Sequence, residues 1–174
     1  MKSKSKWILI VFILSFILSI IFSGISTAMA ESFNTIILAI IIILVIGLGI
    51  VFDMIGVAVL TCKESNLHAK ASKKMKGAKA AISLIKNSTR VASVCNDVIG
   101  DICGIVSGSL GAALTLDLAG VISISSVIIT MIVTATISAL TVGFKAIFKD
   151  IAEKNSDAIV YTCGKILSIF KKEN

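Results

Sequence analysis

The sequence predicts an all-α integral membrane fold: four transmembrane helices, an interfacial basic helical pair and a C-terminal amphipathic helix. Three observations lead there. The 174 residues are 56% hydrophobic and include no proline. Four stretches, 7–30, 33–62, 91–116 and 118–144, carry no charge or only isolated aspartates, and each exceeds the roughly 18 apolar residues that a crossing helix needs. All 17 Lys and Arg lie outside them: three before the first, eight from Lys63 to Arg90 and six from Lys145 onward. A β-barrel would require period-2 alternation, and runs such as "IILAIIIILVIGLGIVF" do not alternate.

The placement of charge sets the expected topology. Glu31 and Asp117 are the sole charges in the two remaining connections. Lys and Arg collect in cytoplasmic loops, so both termini and the middle loop are expected inside, in a multi-pass protein of the cell membrane. The net charge of +7 sits beside the bilayer, which makes anionic headgroups the expected partner. Nucleic acid is not expected, because no aromatic–basic interleaving occurs outside the spans.

The first span, within residues 1–34, opens "MKSKSK" and closes "STAMAES". That mimics a signal peptide with Ala28-x-Ala30 as its cleavage site. The apolar run is longer than a usual signal core, which favours a retained signal anchor; cleavage would leave three spans. Residues 35–145 form the main membrane region, with interfacial helices at 63–90. In that middle segment Leu67, Ala71, Met75, Ala78, Ile82 and Ile85 recur at helical steps while lysines take the other faces. Gly77 is expected to divide it into two short helices lying along the inner membrane surface. The tail, 146–174, carries Ile159, Val160, Cys163, Ile166, Leu167 and Phe170 on one stripe. That stripe is expected to rest on lipid, on the middle segment or on a second subunit. Four cysteines give no disulfide framework, and reduced thiols are expected.

Three carboxylates interrupt the spans: Asp53, Asp97 and Asp101. Each costs roughly 2.5–3.5 kcal/mol at the centre of a membrane helix. Asp97 and Asp101 are four apart, on one face, and Asn96 adjoins them. No Lys or Arg lies within the spans, so the carboxylates are expected to be protonated, to face water or to hold a cation. Hard divalent ions take such oxygen ligands, and Mg2+ keeps several waters while bound by one or two carboxylates. Zinc or copper would want clustered His or Cys, and the lone His68 is expected at the surface. The metal ligands expected are Asp53, Asn96, Asp97 and Asp101, gathered in a polar hollow midway through the bilayer. A structural role, capping other helices, is the alternative. Gly100, Gly104 and Gly108 repeat every four residues, a small stripe that lets helices approach closely. In the fourth span Ser123, Ser126, Thr130, Thr134 and Thr141 form a polar stripe suited to interhelical hydrogen bonds.

The order of parts, with "KGAKAAISLIKNSTRVASVCNDVIG" at its centre, resembles the transmembrane domain of the CorB/CorC/CNNM magnesium and cobalt transporter family. The likeness covers about residues 36–165. Asn96 stands at the family's Asn position in "LIKNSTRVASVCND". In "FDMIGVAVLT" Asp53 stands where the family has a serine, and Gly56 stands near its glutamate. The resemblance implies the membrane fold and a homodimer, and it supports a metal site through Asn96 and Asp53. The family's nucleotide-sensing CBS modules have no counterpart in these residues, so nucleotide regulation is not implied.

The leading expectation is a small divalent-cation transporter, or transporter-like protein, of the Mg2+/Co2+ type. The membrane potential supplies about 2.3 kcal/mol per charge per 100 mV, and no phosphate-binding Gly-x-x-x-x-Gly-Lys-Ser/Thr loop occurs. No cofactor is implied beyond the transported cation. A non-transporting scaffold or partner subunit is the second reading. An intramembrane aspartate dyad from Asp53 and Asp97 is the third; it has no further motif, and no enzyme is expected.

Overall fold

The structure, a computed structural model, describes residues 2–121 and 125–170, with side chains for 8–120 and 125–169. It is helical, with no strand among the described residues. The elements are α1 (Lys2–Ser32), α2 (Thr35–Thr61), α3 (Glu64–Ser72), α4 (Ala78–Lys86), α5 (Ser88–Ala92), a π-helical segment (Ser93–Gly100), α6 (Asp101–Val121), α7 (Ser126–Lys154) and α8 (Ser156–Phe170). Four helical stretches, 8–32, 35–61, 88–120 and 126–154, are long and apolar enough to cross a membrane. Ser123, Lys171 and Lys172 lie outside the described residues, as do the side chains of Lys2, Lys4, Lys6 and Phe170.

One boundary differs from expectation. Asp117 was expected between the third and fourth spans, but α6 continues through it to Val121. A single carboxylate near a helix end does not stop a run whose neighbours are apolar. Thr35 Oγ1 donates to Asp117 Oδ2 at 3.3 Å, so this carboxylate marks the polar end of α2 and α6 together. Asn34 caps α2 there, its Oδ1 accepting from the Ile37 amide at 3.0 Å.

The chain divides into two compact units. The first comprises residues 1–49 and 98–143, and in it α1 packs against α6. Here the small-residue stripe works differently from expectation. Gly49 of α2 lies against Cys103, where an added Cβ would sit 2.9 Å from the Cys103 Cβ, and Gly111 is covered by the Ile137 side chain. Gly104 and Gly108 meet nothing within 4 Å. Close approach thus falls on Gly49 and Gly111, while part of the predicted stripe stays open.

The second unit comprises residues 50–97 and 144–174. Its core gathers Val57, Ala58 and Val59 of α2, Leu67 of α3, Ala81 and Ile82 of α4, Ala152 of α7 and Val160 of α8. Gly77 supplies the left-handed residue (φ 84°) that starts α4, and the basic segment divides there into α3 and α4. Helices α4 and α8 then cross at glycine. A Cβ on Gly164 would fall 2.6 Å from the Ala81 nitrogen and 2.7 Å from its Cβ. The apolar tail stripe is therefore split: Val160 is buried, whereas Ile166 and Leu167 remain exposed, as does Ile169 outside the stripe.

Polar contacts hold the start of α8. The Cys62 thiol donates to Asp157 Oδ1 at 3.1 Å, and the Asn66 amide donates to Asp157 Oδ2. Lys70 Nζ lies 4.4 Å from the centre of the Tyr161 ring. Burial, then the bond to Asp157, pushes the Cys62 thiol up to about 12. The Cys62 bond, helped by Asn66 and Lys70 and opposed by burial, holds Asp157 below its ordinary 3.8.

Two outcomes follow from this packing. Gly164→Ala should cost about 1–3 kcal/mol by overpacking the α4–α8 crossing. Gly104→Ala, facing open space, should be neutral or gain up to about 1 kcal/mol of helix propensity, both read by thermal unfolding in detergent. A lowered carboxyl contributes stability above its ordinary value that is lost as pH falls through the folded one. The wild type should therefore lose stability below pH 3.8, Asp157→Asn should lack that acid step, and alkylation of Cys62 at pH 8 should be faster in the variant.

Candidate functional site

The site begins on α2. From Thr35 to Asp53 is 18 residues, about 27 Å of helix. Asp53 therefore lies only about two turns from the end of α2, nearer one end of the span than the midplane hollow expected. Gly56 is three residues further along and shares its face.

Asn96 meets that face. It belongs to the π-helical segment Ser93–Gly100, a geometry that is rare and concentrated at functional positions. Its side-chain amide lies against Gly56, where any Cβ would overlap it. Glycine is thus required at 56 for Asn96 to occupy this place. Asn96 Oδ1 is buried and accepts no hydrogen bond. A buried acceptor left so costs roughly 1–3 kcal/mol, so it calls for an explanation.

Asp53 has a partner that the sequence reading did not give it. Lys145 Nζ of α7 lies 3.8 Å from Asp53 Oδ1, with the two side chains 28% and 21% exposed. The expectation that no basic residue would neutralise the span carboxylates is corrected for Asp53. The signal was available in helix lengths. From Ser126 to Lys145 is 19 residues, about 28 Å, which matches the 27 Å from Thr35 to Asp53 when both helices start at the same level. Lys145 was counted as a loop residue because it directly follows the apolar run.

The expected gathering of carboxylates is also corrected. Among the described residues no group of three or more His, Cys, Asp or Glu side chains stands close enough to hold a metal ion. Asp97 and Asp101 are both exposed, and Asp101 belongs to the first unit whereas Asp53, Asn96 and Asp97 belong to the second. The π-helical segment ends between Asp97 and Asp101. What the structure brings onto one face of α2 is Asp53 and Asn96, with Lys145 at the carboxylate.

The hydroxyls of the fourth span serve their own helix. Thr130, Thr134 and Thr141 bond the carbonyls of Ser126, Thr130 and Ile137 at 2.8, 2.7 and 2.8 Å, rather than other helices. His68 is exposed and pairs with Glu64 at 3.1 Å. None of the four cysteines forms a disulfide. Comparison with protein-family models, curated proteins and solved structures returns no match to this chain.

The ion pair makes a thermodynamic prediction. Asp53→Asn and Lys145→Met should each destabilise by leaving a charge without its partner, and the double variant should recover part of the loss. The coupling should be roughly 0.5–3 kcal/mol in a double-mutant cycle, and a value near zero would show that the charges do not interact.

Proposed function

We propose that the chain is a small multi-pass protein of the cell membrane that holds and passes a divalent cation of the magnesium or cobalt type. The carrying observation is the buried Asn96 Oδ1, an oxygen without a donor, set on a π-helical segment and lying against Gly56, one turn along α2 from Asp53. A cation is the partner such an oxygen lacks. One carboxylate and one amide oxygen leave most positions around the ion to water, which suits Mg2+. The positive residues of 63–90 and 145 onward support a cytoplasmic setting for this end of the spans. The cation would thus leave inward, drawn by the membrane potential.

Four helices long enough to cross a bilayer support the membrane setting, and the resemblance around Asn96 supports the ion class. A homodimer fits the same reading. Asp97 and Asp101 are exposed on a single chain, and carboxylates facing lipid are costly. A second copy would cover them.

The scaffold reading is favoured by one observation, the Lys145–Asp53 pair, which balances the carboxylate without any ion. A Mg2+ and Co2+ titration of the purified protein separates the two. Under the transport reading the ion raises the unfolding temperature, by about 2.7 kcal/mol of stability at a hundredfold excess over Kd, and Asn96→Ala abolishes the shift. Under the scaffold reading neither ion moves the wild type.

A further inference from the structure

The Lys145–Asp53 pair is looser than a hydrogen-bonded ion pair. At 3.8 Å the ammonium is beyond hydrogen-bond reach, so attraction between charges alone holds it. Its carboxylate partner shares a helix face with Gly56, against which the donorless Asn96 oxygen lies. A positive charge therefore stands at the one carboxylate of a site whose second oxygen has nothing to bind. Lysine suits a displaceable charge: a compact ammonium on a flexible four-carbon stem, which can carry its head toward water while the stem stays on apolar surface. The stem has somewhere to go, because Lys145 is partly exposed and the exposed Lys149 one turn further on leads toward the polar end of α7.

We propose that Lys145 is a built-in stand-in cation, which occupies Asp53 at rest and which a divalent ion must displace to bridge Asp53 and Asn96. The inference rests on the cation reading above and adds the group that regulates the site. Attraction to the carboxylate favours the exchange for a dication over a monovalent ion, the one excess positive charge being spread over the waters that the ion keeps. A monovalent ion would merely replace one unit of charge with another, whereas a dication brings a second unit and takes the Asn96 oxygen as well. On release the ammonium returns, so Asp53 is not left unpaired in an apolar span.

The test is Mg2+ binding to the purified full chain in detergent, by calorimetry. Lys145→Met should tighten binding by about tenfold or more, and Lys145→Arg, which keeps the charge, should not. Wild-type Mg2+ binding with equal affinity in Lys145→Met overturns the stand-in role while leaving the cation reading intact. No Mg2+ binding in the wild type or in either variant overturns both. A measurement on the wild type alone guards against a misfolded variant. Saturating Mg2+ should raise the rate at which an amine-reactive reagent labels Lys145, read by mass spectrometry against Lys149. If Mg2+ binds and the Lys145 rate is unchanged, the ammonium has not moved and the stand-in role is overturned.

Discussion

A carboxylate set within an apolar helix needs an opposite charge within reach, and in α2 that need organises much of what surrounds it. Asp53 draws Lys145 of α7 to 3.8 Å. The pair forms about two turns before the end of α2, where the apolar run of α7 gives way to lysine. The same face of α2 must stay bare one turn later, because Asn96 leans on Gly56. Charge, helix length and a missing side chain are thus parts of a single arrangement.

The second unit gives that arrangement a base. Helices α3, α4 and α8 close on one another through small residues, with Gly164 against Ala81 and Gly77 at the left-handed turn. Such contacts leave little room for movement, whereas the contacts around Asp157 are polar and depend on protonation. A tight apolar crossing and a titratable clasp therefore share the task of holding α8. Ile166, Leu167 and Ile169 lie beyond both and belong to neither.

The helices were legible because composition and charge act over many residues at once. Runs without charge marked where the long apolar helices lie, and Gly77 showed where the basic segment bends. Boundaries set by one residue were not legible: Asp117 looked like a loop and lies inside α6, since its bond to Thr35 is made by a residue far away in sequence. The candidate site was legible in part. Asp53 and Asn96 stood out as polar groups in apolar runs, but counting within a span could not pair Asp53 with Lys145, which comes from another helix. Nor does regular helical counting reveal a π-helical segment, which holds both Asn96 and Asp97.

That segment carries an implication for how this chain tolerates change in length. A π-helical stretch between α5 and α6 holds more residues per turn than its neighbours. Losing one residue between Ser93 and Gly100 would let an ordinary helix run straight through, re-phasing the side chains within the segment itself. Asn96 would then leave the bare patch of α2 although no apolar character had been lost. Substitutions that preserve hydrophobicity are the mild class here, and single-residue deletions are the severe one.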